Sequence, residues 1–143
     1  MIAYIDTSVL LKLLVDDESG GDAAERLWVD ADRVVCAEIG YAEARAALAA
    51  ARRDKRLATG ALRVAQQELE SLWSQLDIVA VTAAVVRAAG DLAESEHLRG
   101  FDAVHLAAAE VGGVTVLASA DTRLIAAARH RKLATANPNR AVS

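Results

Sequence analysis

The chain has 143 residues, of which 54% are hydrophobic and 25% charged, so it is long enough to bury the core of one domain spanning residues 1–143. Its formal net charge of −4 argues against a protein that holds nucleic acid by positive charge alone, and 3% aromatic residues argue against base stacking as the main binding mode. There is no basic leader, no run of 18 apolar residues, and only one cysteine, Cys36. We therefore expect a cytoplasmic protein outside the membrane.

Short apolar runs alternate with stretches of helical periodicity along the chain. In chain order the prediction is a strand at 2–5, a helix at 9–15, a polar break at 16–21, a helix around 24–31, a strand at 34–36, an alanine-rich helix at about 39–53, a helix at 62–76, a strand at 78–81, helices at 85–92 and 102–111, a strand at 114–118, a helix from 124 and an edge strand at 133–136. This alternation predicts an α/β fold of three α/β/α layers around a short parallel sheet.

Four acidic residues fall where predicted strands end or predicted helices begin: Asp6, Glu43, Asp102 and Asp121. Because the ends of parallel strands and the starts of the following helices share one edge of the sheet, we expect these carboxylates to lie together. Gathered carboxylates repel one another unless a cation lies between them, and oxygen ligands suit Mg²⁺ or Mn²⁺. A metal at this place would make the region neutral or positive, so that a phosphodiester could bind there despite the acidic composition.

Each of these acids also has a purely structural explanation. Asp6 and Asp102 can stabilise the start of a helix, and Asp121 can stabilise a turn. Three hydroxyls next to the acids can share that role, or contact a phosphate or a metal-bound water: Thr7, Ser8 and Ser119. Four acids expected at one edge carry more weight than any of them alone.

Glu43 is the most informative acid, because it is predicted to lie on the apolar face of its helix. The residues that share this predicted face are Ile39, Ala42, Ala46 and Ala50. A carboxylate there is costly unless it is paired or bound to a metal. The alternative is that Glu43 lies at the margin of the face and reaches water.

The remaining candidates have weaker patterns. His105 comes one turn after Asp102 and is either a group of the site or a buried histidine with satisfied hydrogen bonds, the commoner case. His97 and His130 are expected in solvent, and Cys36 in a buried strand. Two basic clusters are either solvated helix ends or contacts to a phosphate backbone, and the arginines we select from them are Arg52, Arg53 and Arg129.

Taken together, these segments resemble the PIN-domain nuclease pattern, most closely the VapC-type toxins of bacterial toxin–antitoxin pairs, from Ile2 to about Pro138. The resemblance lies in Asp6-Thr7-Ser8 after the first strand, Tyr41-x-Glu43, the run from Phe101 to Ala107, and the run from Ala118 to Asp121. One departure is Arg131-Lys132, where a glycine often follows the last helix.

The resemblance implies a Mg²⁺- or Mn²⁺-dependent endoribonuclease with a PIN-like fold. It places Asp6, Glu43, Asp102 and Asp121 at the family's acidic positions, as catalytic residues and metal ligands. It also implies a cognate VapB-like antitoxin, a homodimer, and often a larger assembly of toxin and antitoxin.

Two other functions remain open from the residues. A phosphotransfer enzyme of the haloacid-dehalogenase kind would use Asp6 as a nucleophile, but it typically carries a second aspartate at the position that Ser8 occupies. A non-catalytic interaction module would use the helices at 41–57 and 60–76 as a partner-binding hairpin. Intact acids at all four positions argue against a module without activity.

Overall fold

Five short parallel strands form the centre of the computed structural model, which describes residues 1–15 and 19–140. The polar break predicted at 16–21 lies partly outside these residues. The elements are β1 (Ile2–Ile5), α1 (Thr7–Leu14), α2 (Gly21–Asp30), β2 (Arg33–Ala37), α3 (Ile39–Arg53), α4 (Thr59–Trp73), β3 (Asp77–Val79), α5 (Ala83–Ser95), α6 (Gly100–Val111), β4 (Val116–Ala118), α7 (Thr122–His130), β5 (Ala134–Ala136) and a 3₁₀ turn (Pro138–Arg140).

The sheet has the strand order β3-β2-β1-β4-β5, and every neighbouring pair is parallel. β1 is therefore the central strand, with Tyr4 opposite Val35 of β2 and Leu117 of β4. All five strands end at the same edge, which we call the carboxyl edge. The predicted parallel sheet and its edge strand are confirmed, although β3 and β4 are shorter than the runs 78–81 and 114–118.

Successive residues of the strands pack into two separate cores, one on each face of the sheet. Tyr4 and Val35 join the core beneath α5, α6 and α7, whereas Ile5 and Cys36 join the core beneath α1 to α4. Both faces are buried because a parallel sheet is covered by its connecting helices. This is the predicted three-layer α/β/α arrangement, and it places Cys36 in a buried strand as expected.

The buried face of α3 differs from the predicted one. It consists of Gly40, Ala44, Leu48 and Ala51. Ala42 and Ala46 are exposed, and Glu43 lies beside the buried face. Alanine gives little contrast between the sides of a helix, so the true face is set by Leu48 and by Gly40, where a Cβ would come within 2.6 Å of Cys36 Sγ. Glu43 therefore lies at the margin of the buried face, as in the alternative interpretation of the sequence.

Four helices end in the same hydrogen-bonded motif, with one residue in the left-handed conformation. These residues are Lys55, His97, Gly113 and Lys132, with φ between 55° and 71°. In each case the following N–H bonds to a carbonyl five residues back, as in Leu133 to Ala128 at 2.9 Å. Lys132 thus adopts the left-handed conformation that glycine favours, and α7 ends at His130 without a glycine there.

Among the helices described, none combines the length and the apolar composition needed to cross a membrane.

Replacing Lys132 or Lys55 with glycine should stabilise the protein. Left-handed φ values cost an L-residue about 1 kcal/mol, and the greater freedom of glycine in the unfolded chain offsets part of the gain, so each change should add up to about 1 kcal/mol. Chemical denaturation measures the effect. Gly113→Ala is the matched control and should destabilise by a similar amount. A loss of stability in both lysine variants would contradict this account of the helix ends.

Candidate active site

The four predicted acids lie around the carboxyl edge, near the end of the central strand. Asp6 directly follows β1, and Asp121 follows the adjacent strand β4. Glu43 lies near the start of α3, after β2, and Asp102 lies in the first turn of α6. Because β1 lies between β2 and β4, the segments that carry Asp6, Glu43 and Asp121 are neighbours.

Asp6 is buried, with 6% of its surface exposed. Its Oδ1 accepts hydrogen bonds from the Val9 N–H (3.2 Å) and from Ser8 Oγ (2.5 Å), and its Oδ2 accepts one from Ser119 Oγ (2.5 Å). The bond to Val9 confirms the predicted cap of α1. Burial raises the pKa of the Asp6 carboxyl above its usual value, although the hydrogen bonds from Ser119 and Ser8 act in the opposite direction.

Ser8 and Ser119 connect Asp6 to the loop after β4. Ser8 Oγ accepts the Ala120 N–H at 2.9 Å, and Ser119 Oγ accepts the Asp121 N–H at 2.9 Å. Each hydroxyl therefore accepts one proton from the backbone and donates its own to Asp6. These bonds hold the ends of two adjacent strands in one arrangement around a single carboxylate.

Glu43 is half-buried, with 29% of its side chain exposed. Its Oε1 accepts hydrogen bonds from Thr7 Oγ1 and from His105 Nε2, both at 2.7 Å. Burial would raise the pKa of Glu43, but the hydrogen bonds from His105 and Thr7 outweigh it and hold that pKa below its usual value. His105 is the buried, satisfied histidine expected from the sequence, and it also contacts a residue of the site.

Asp102 and Asp121 are linked by an arginine that the sequence analysis did not select. Arg99 Nε lies 3.3 Å from Asp102 Oδ2, and Arg99 Nη2 lies 3.8 Å from Asp121 Oδ2. Asp121 caps α7 by accepting the N–H groups of Arg123 and Leu124. Asp102 makes no capping bond, because the cap position of α6 is Arg99 itself. The spacing of Arg99 three residues before Asp102 was the available sequence signal.

A cavity of about 630 Å³ opens between α3, α5 and α6. Its polar lining comes from Glu43, Asp102 and Arg99. The opposite wall is apolar and includes Val86 on α5 and Phe101, which is 65% exposed. Two of the four predicted acids thus face one open space large enough for part of a polymeric substrate.

The donors around the cavity fit a Mg²⁺ or Mn²⁺ ion that keeps most of its waters. Such ions are commonly held by one or two carboxylates together with substrate oxygens. Within residues 1–15 and 19–140, no three His, Cys, Asp or Glu side chains are arranged to hold one ion by themselves. Glu43 and Asp102, the two carboxylates that share the cavity, can hold an ion that takes its remaining ligands from water and substrate. Asp6 adds a buried carboxylate with no lysine or arginine ion pair from the described part of the chain.

The basic residues selected from the sequence lie farther away. Arg52 and Arg53 are exposed at the C-terminal end of α3, and at 1.5 Å per residue they lie about 15 Å along the helix from Glu43. Arg129 is exposed near the end of α7, where its Nε donates to Thr135 Oγ1 at 2.9 Å. His97 is exposed as expected, and so is His130, which pairs with Glu96 at 2.6 Å.

Comparison with known proteins agrees with this geometry. Residues 3–130 match the PIN domain. The chain is 40% identical over 134 residues to Ribonuclease VapC45 of Mycobacterium tuberculosis (strain CDC 1551 / Oshkosh), covering 94% of this chain and 88% of that protein. Its fold is similar to that of FitAcB from Neisseria gonorrhoeae, with a TM-score of 0.70, 22% identity, and coverage of 96% and 98% of the two chains.

A toxin-antitoxin complex from Klebsiella pneumoniae also contains a similar fold, with a TM-score of 0.67, 18% identity, and coverage of 95% of this chain and 97% of that chain. The short parallel sheet flanked by helices is therefore a fold that this chain shares with these proteins. The chain belongs to the PIN-domain family and, within it, to the VapC ribonucleases.

Replacing Asp6 with asparagine should leave the metal-free protein as stable as the wild type or make it more stable. The folded pKa lies above the unfolded one, so the folded state binds the proton more tightly, and stability falls as the pH rises through that window. Asparagine caps a helix as well as aspartate and carries no charge, and the serine hydroxyl that faces its NH₂ group can accept a hydrogen bond instead of donating one. Thermal melts at pH 7 in chelator measure the difference, which should shrink as the pH is lowered toward about 4.

Asp91→Asn is the matched control for that experiment, because Asp91 is exposed on α5. Its melting temperature should remain close to that of the wild type at both pH values. A variant at position 6 that melts well below the wild type at pH 7 would show that ionised Asp6 stabilises the fold, contrary to the burial argument.

Proposed function

We propose that this chain is a metal-dependent endoribonuclease toxin that hydrolyses RNA phosphodiester bonds and is neutralised by a cognate antitoxin. The observation that carries the proposal is that Glu43 and Asp102 line one cavity. Thr7, the residue after the buried Asp6, donates a hydrogen bond to Glu43 and so connects Asp6 to the same place. Membership of the VapC ribonucleases and the name of the Mycobacterium tuberculosis relative support it.

The residues that would hold Mg²⁺ or Mn²⁺ are Asp6, Glu43, Asp102 and Asp121, with no more than two of them contacting one ion directly and the others acting through its waters. When bound, the ion supplies positive charge that polarises the phosphodiester and stabilises charge on the leaving oxygen. Ser8 and Ser119 hold Asp6 in place, and Thr7 holds Glu43. Arg99, at the mouth of the cavity, can donate to a phosphate oxygen when the substrate is bound.

Neither of the two alternative functions replaces the nuclease proposal. Membership of the PIN family replaces the haloacid-dehalogenase interpretation. That chemistry needs a second aspartate where this chain has Ser8, and the Ser8 hydroxyl instead donates a hydrogen bond that holds Asp6. The hairpin of α3 and α4 can still bind a partner in a protein whose acidic residues are intact, so partner binding is compatible with catalysis.

We further propose a VapB-like antitoxin as the protein partner, a homodimer that can enter a larger toxin–antitoxin assembly, and a cytoplasmic location where RNA is available. Support for the antitoxin comes from the similar fold in the Klebsiella pneumoniae toxin-antitoxin complex. We propose that residues 1–143 form one nuclease domain, since the family match alone spans residues 3–130.

Asp102→Asn and Asp6→Asn should each reduce RNA cleavage by at least about a hundredfold, because an amide is a poor substitute for an anionic metal ligand. The measurement is cleavage of mixed cellular RNA in Mn²⁺, with and without chelator, followed by mapping of the cut ends. A DNA substrate alongside tests the preference for RNA. Asp91→Asn is the control and should cut like the wild type. Cleavage at the wild-type rate by either site variant, or in excess chelator, would refute the assignment.

RNA binding should depend on salt, and the slope should identify which arginines contact phosphate. Arg99→Ala, and Arg52→Ala if the RNA extends along α3, should each lower the slope of log K against log salt by about 0.7, since each phosphate contact to a single strand releases about that much counterion. Fluorescence anisotropy in the inactive Asp6→Asn background measures it, because Asp102 is itself an ion-pair partner of Arg99. Arg26→Ala on α2 is the control. An unchanged slope would assign the arginine concerned to the solvated surface.

A further inference from the structure

A chain of hydrogen bonds runs through the core beneath α6 and ends on Glu43. The backbone N–H of Ala37 donates to Tyr4 Oη at 3.1 Å, and Tyr4 Oη lies 2.5 Å from His105 Nδ1. The other ring nitrogen, Nε2, lies 2.7 Å from Glu43 Oε1. The two rings meet edge to face, with centroids 5.8 Å apart. Tyr4 and His105 are 0% and 2% exposed, so water does not substitute for these bonds.

The donors and acceptors fix the direction of this chain. Tyr4 Oη already accepts the Ala37 N–H, and its own proton has one acceptor among the described residues, His105 Nδ1. A phenol keeps its proton at neutral pH, so Tyr4 is the donor in its bond to His105. His105 Nδ1 is therefore an acceptor, and the ring carries its proton on Nε2, which donates to Glu43.

Two donors converge on the same oxygen of Glu43. Thr7 Oγ1 and His105 Nε2 both lie 2.7 Å from Oε1, whereas no described residue donates to Oε2. Glu43 also lines the cavity that contains Asp102 and Arg99. A glutamate side chain has several rotatable bonds. Because Thr7 and His105 fix Oε1 on the side of the core, the other oxygen, Oε2, is restricted to the side of the cavity.

We propose that Tyr4 and His105 are positioning residues, which together form a relay that fixes the tautomer of His105 and holds Glu43 with Oε2 available to the cavity. This inference rests on the proposed function, because it treats Glu43 as a metal ligand. The relay acts through Glu43 and contacts neither the metal nor the substrate. The residues of the relay and Glu43 lie on three elements, β1, α3 and α6, so the packing of the core determines the orientation of Glu43.

The first test reads the tautomer without any metal or RNA. Long-range ¹H–¹⁵N correlation spectra of ¹⁵N-histidine-labelled protein at pH 7 should show His105 with its proton on Nε2. In Tyr4→Phe, which keeps the ring and loses the hydroxyl, the proton should stay on Nε2 beside the Glu43 carboxylate, and the ¹⁵N resonance of Nδ1 should move downfield because the hydrogen bond that it accepts is lost. A wild-type His105 with the proton on Nδ1, or on both nitrogens, would overturn the relay whatever the function of the protein.

The second test reads Mn²⁺ binding without turnover, by electron paramagnetic resonance of free Mn²⁺. Tyr4→Phe should raise the dissociation constant by at least about tenfold, as is typical when a group that orients a metal ligand is removed. Tyr41→Phe is the matched control, because it removes a phenol hydroxyl that bonds to the surface residue Glu70. Its affinity should equal that of the wild type. Wild-type affinity in Tyr4→Phe would overturn the proposal.

A pair of variants at position 105 covers the case in which Tyr4→Phe does not fold. Glutamine and methionine have similar length, but only glutamine carries an N–H that can reach Glu43 from the position of Nε2. His105→Gln should keep most of the Mn²⁺ affinity, and His105→Met should lose about as much as Tyr4→Phe. Equal affinities in the pair would assign His105 to packing alone and refute the relay.

Glu43→Gln separates failure of this proposal from failure of the proposed function. If Glu43→Gln loses both Mn²⁺ binding and RNA cleavage while the relay variants lose neither, the relay is wrong and the nuclease assignment stands. If Glu43→Gln cuts RNA and binds Mn²⁺ like the wild type, Glu43 is not a ligand, and the relay does not serve the site.

Discussion

A carboxylate buried at the end of the central strand is the constraint on which the rest of this structure depends. Asp6 follows β1, the strand with neighbours on both sides, and is 6% exposed. Burying an anion is unfavourable unless its oxygens are bound, and here Ser8, Val9 and Ser119 bind them. These donors come from α1 and from the loop after β4, so satisfying one charge also fixes how two adjacent strands end.

The hydrogen bonds do not fully compensate for that burial, since the pKa of Asp6 remains raised. Glu43 is the opposite case, because His105 and Thr7 hold its pKa below the usual value. The site therefore contains two different carboxylates: the fold disfavours the ionised form of Asp6 and favours the ionised form of Glu43. If a cation binds there as we propose, it would relieve the first, and occupation of the site would then stabilise the fold.

Much of the fold could be predicted because long periodic runs and short apolar runs alternate without ambiguity. α3 was placed at its observed bounds, yet its buried face was wrong, since an alanine-rich helix offers no contrast until Leu48 and Gly40 meet the sheet. The acids could be found because they lie where strands end or where helices begin. The contact between Tyr4 and His105 joins residues 101 positions apart, and no local pattern encodes it.

The bond between Ser119 and Asp6 joins residues 113 positions apart, and β1 pairs on one side with β4. A ribosome that has made only the first hundred residues has therefore produced Asp6 and Glu43 but neither Ser119 nor the strand that supports it. The central strand then lacks one of its two neighbours, and Asp6 lacks one of its three donors. An incomplete polypeptide cannot assemble this arrangement. The proposed cleavage of RNA would therefore begin only when synthesis of the chain is nearly finished.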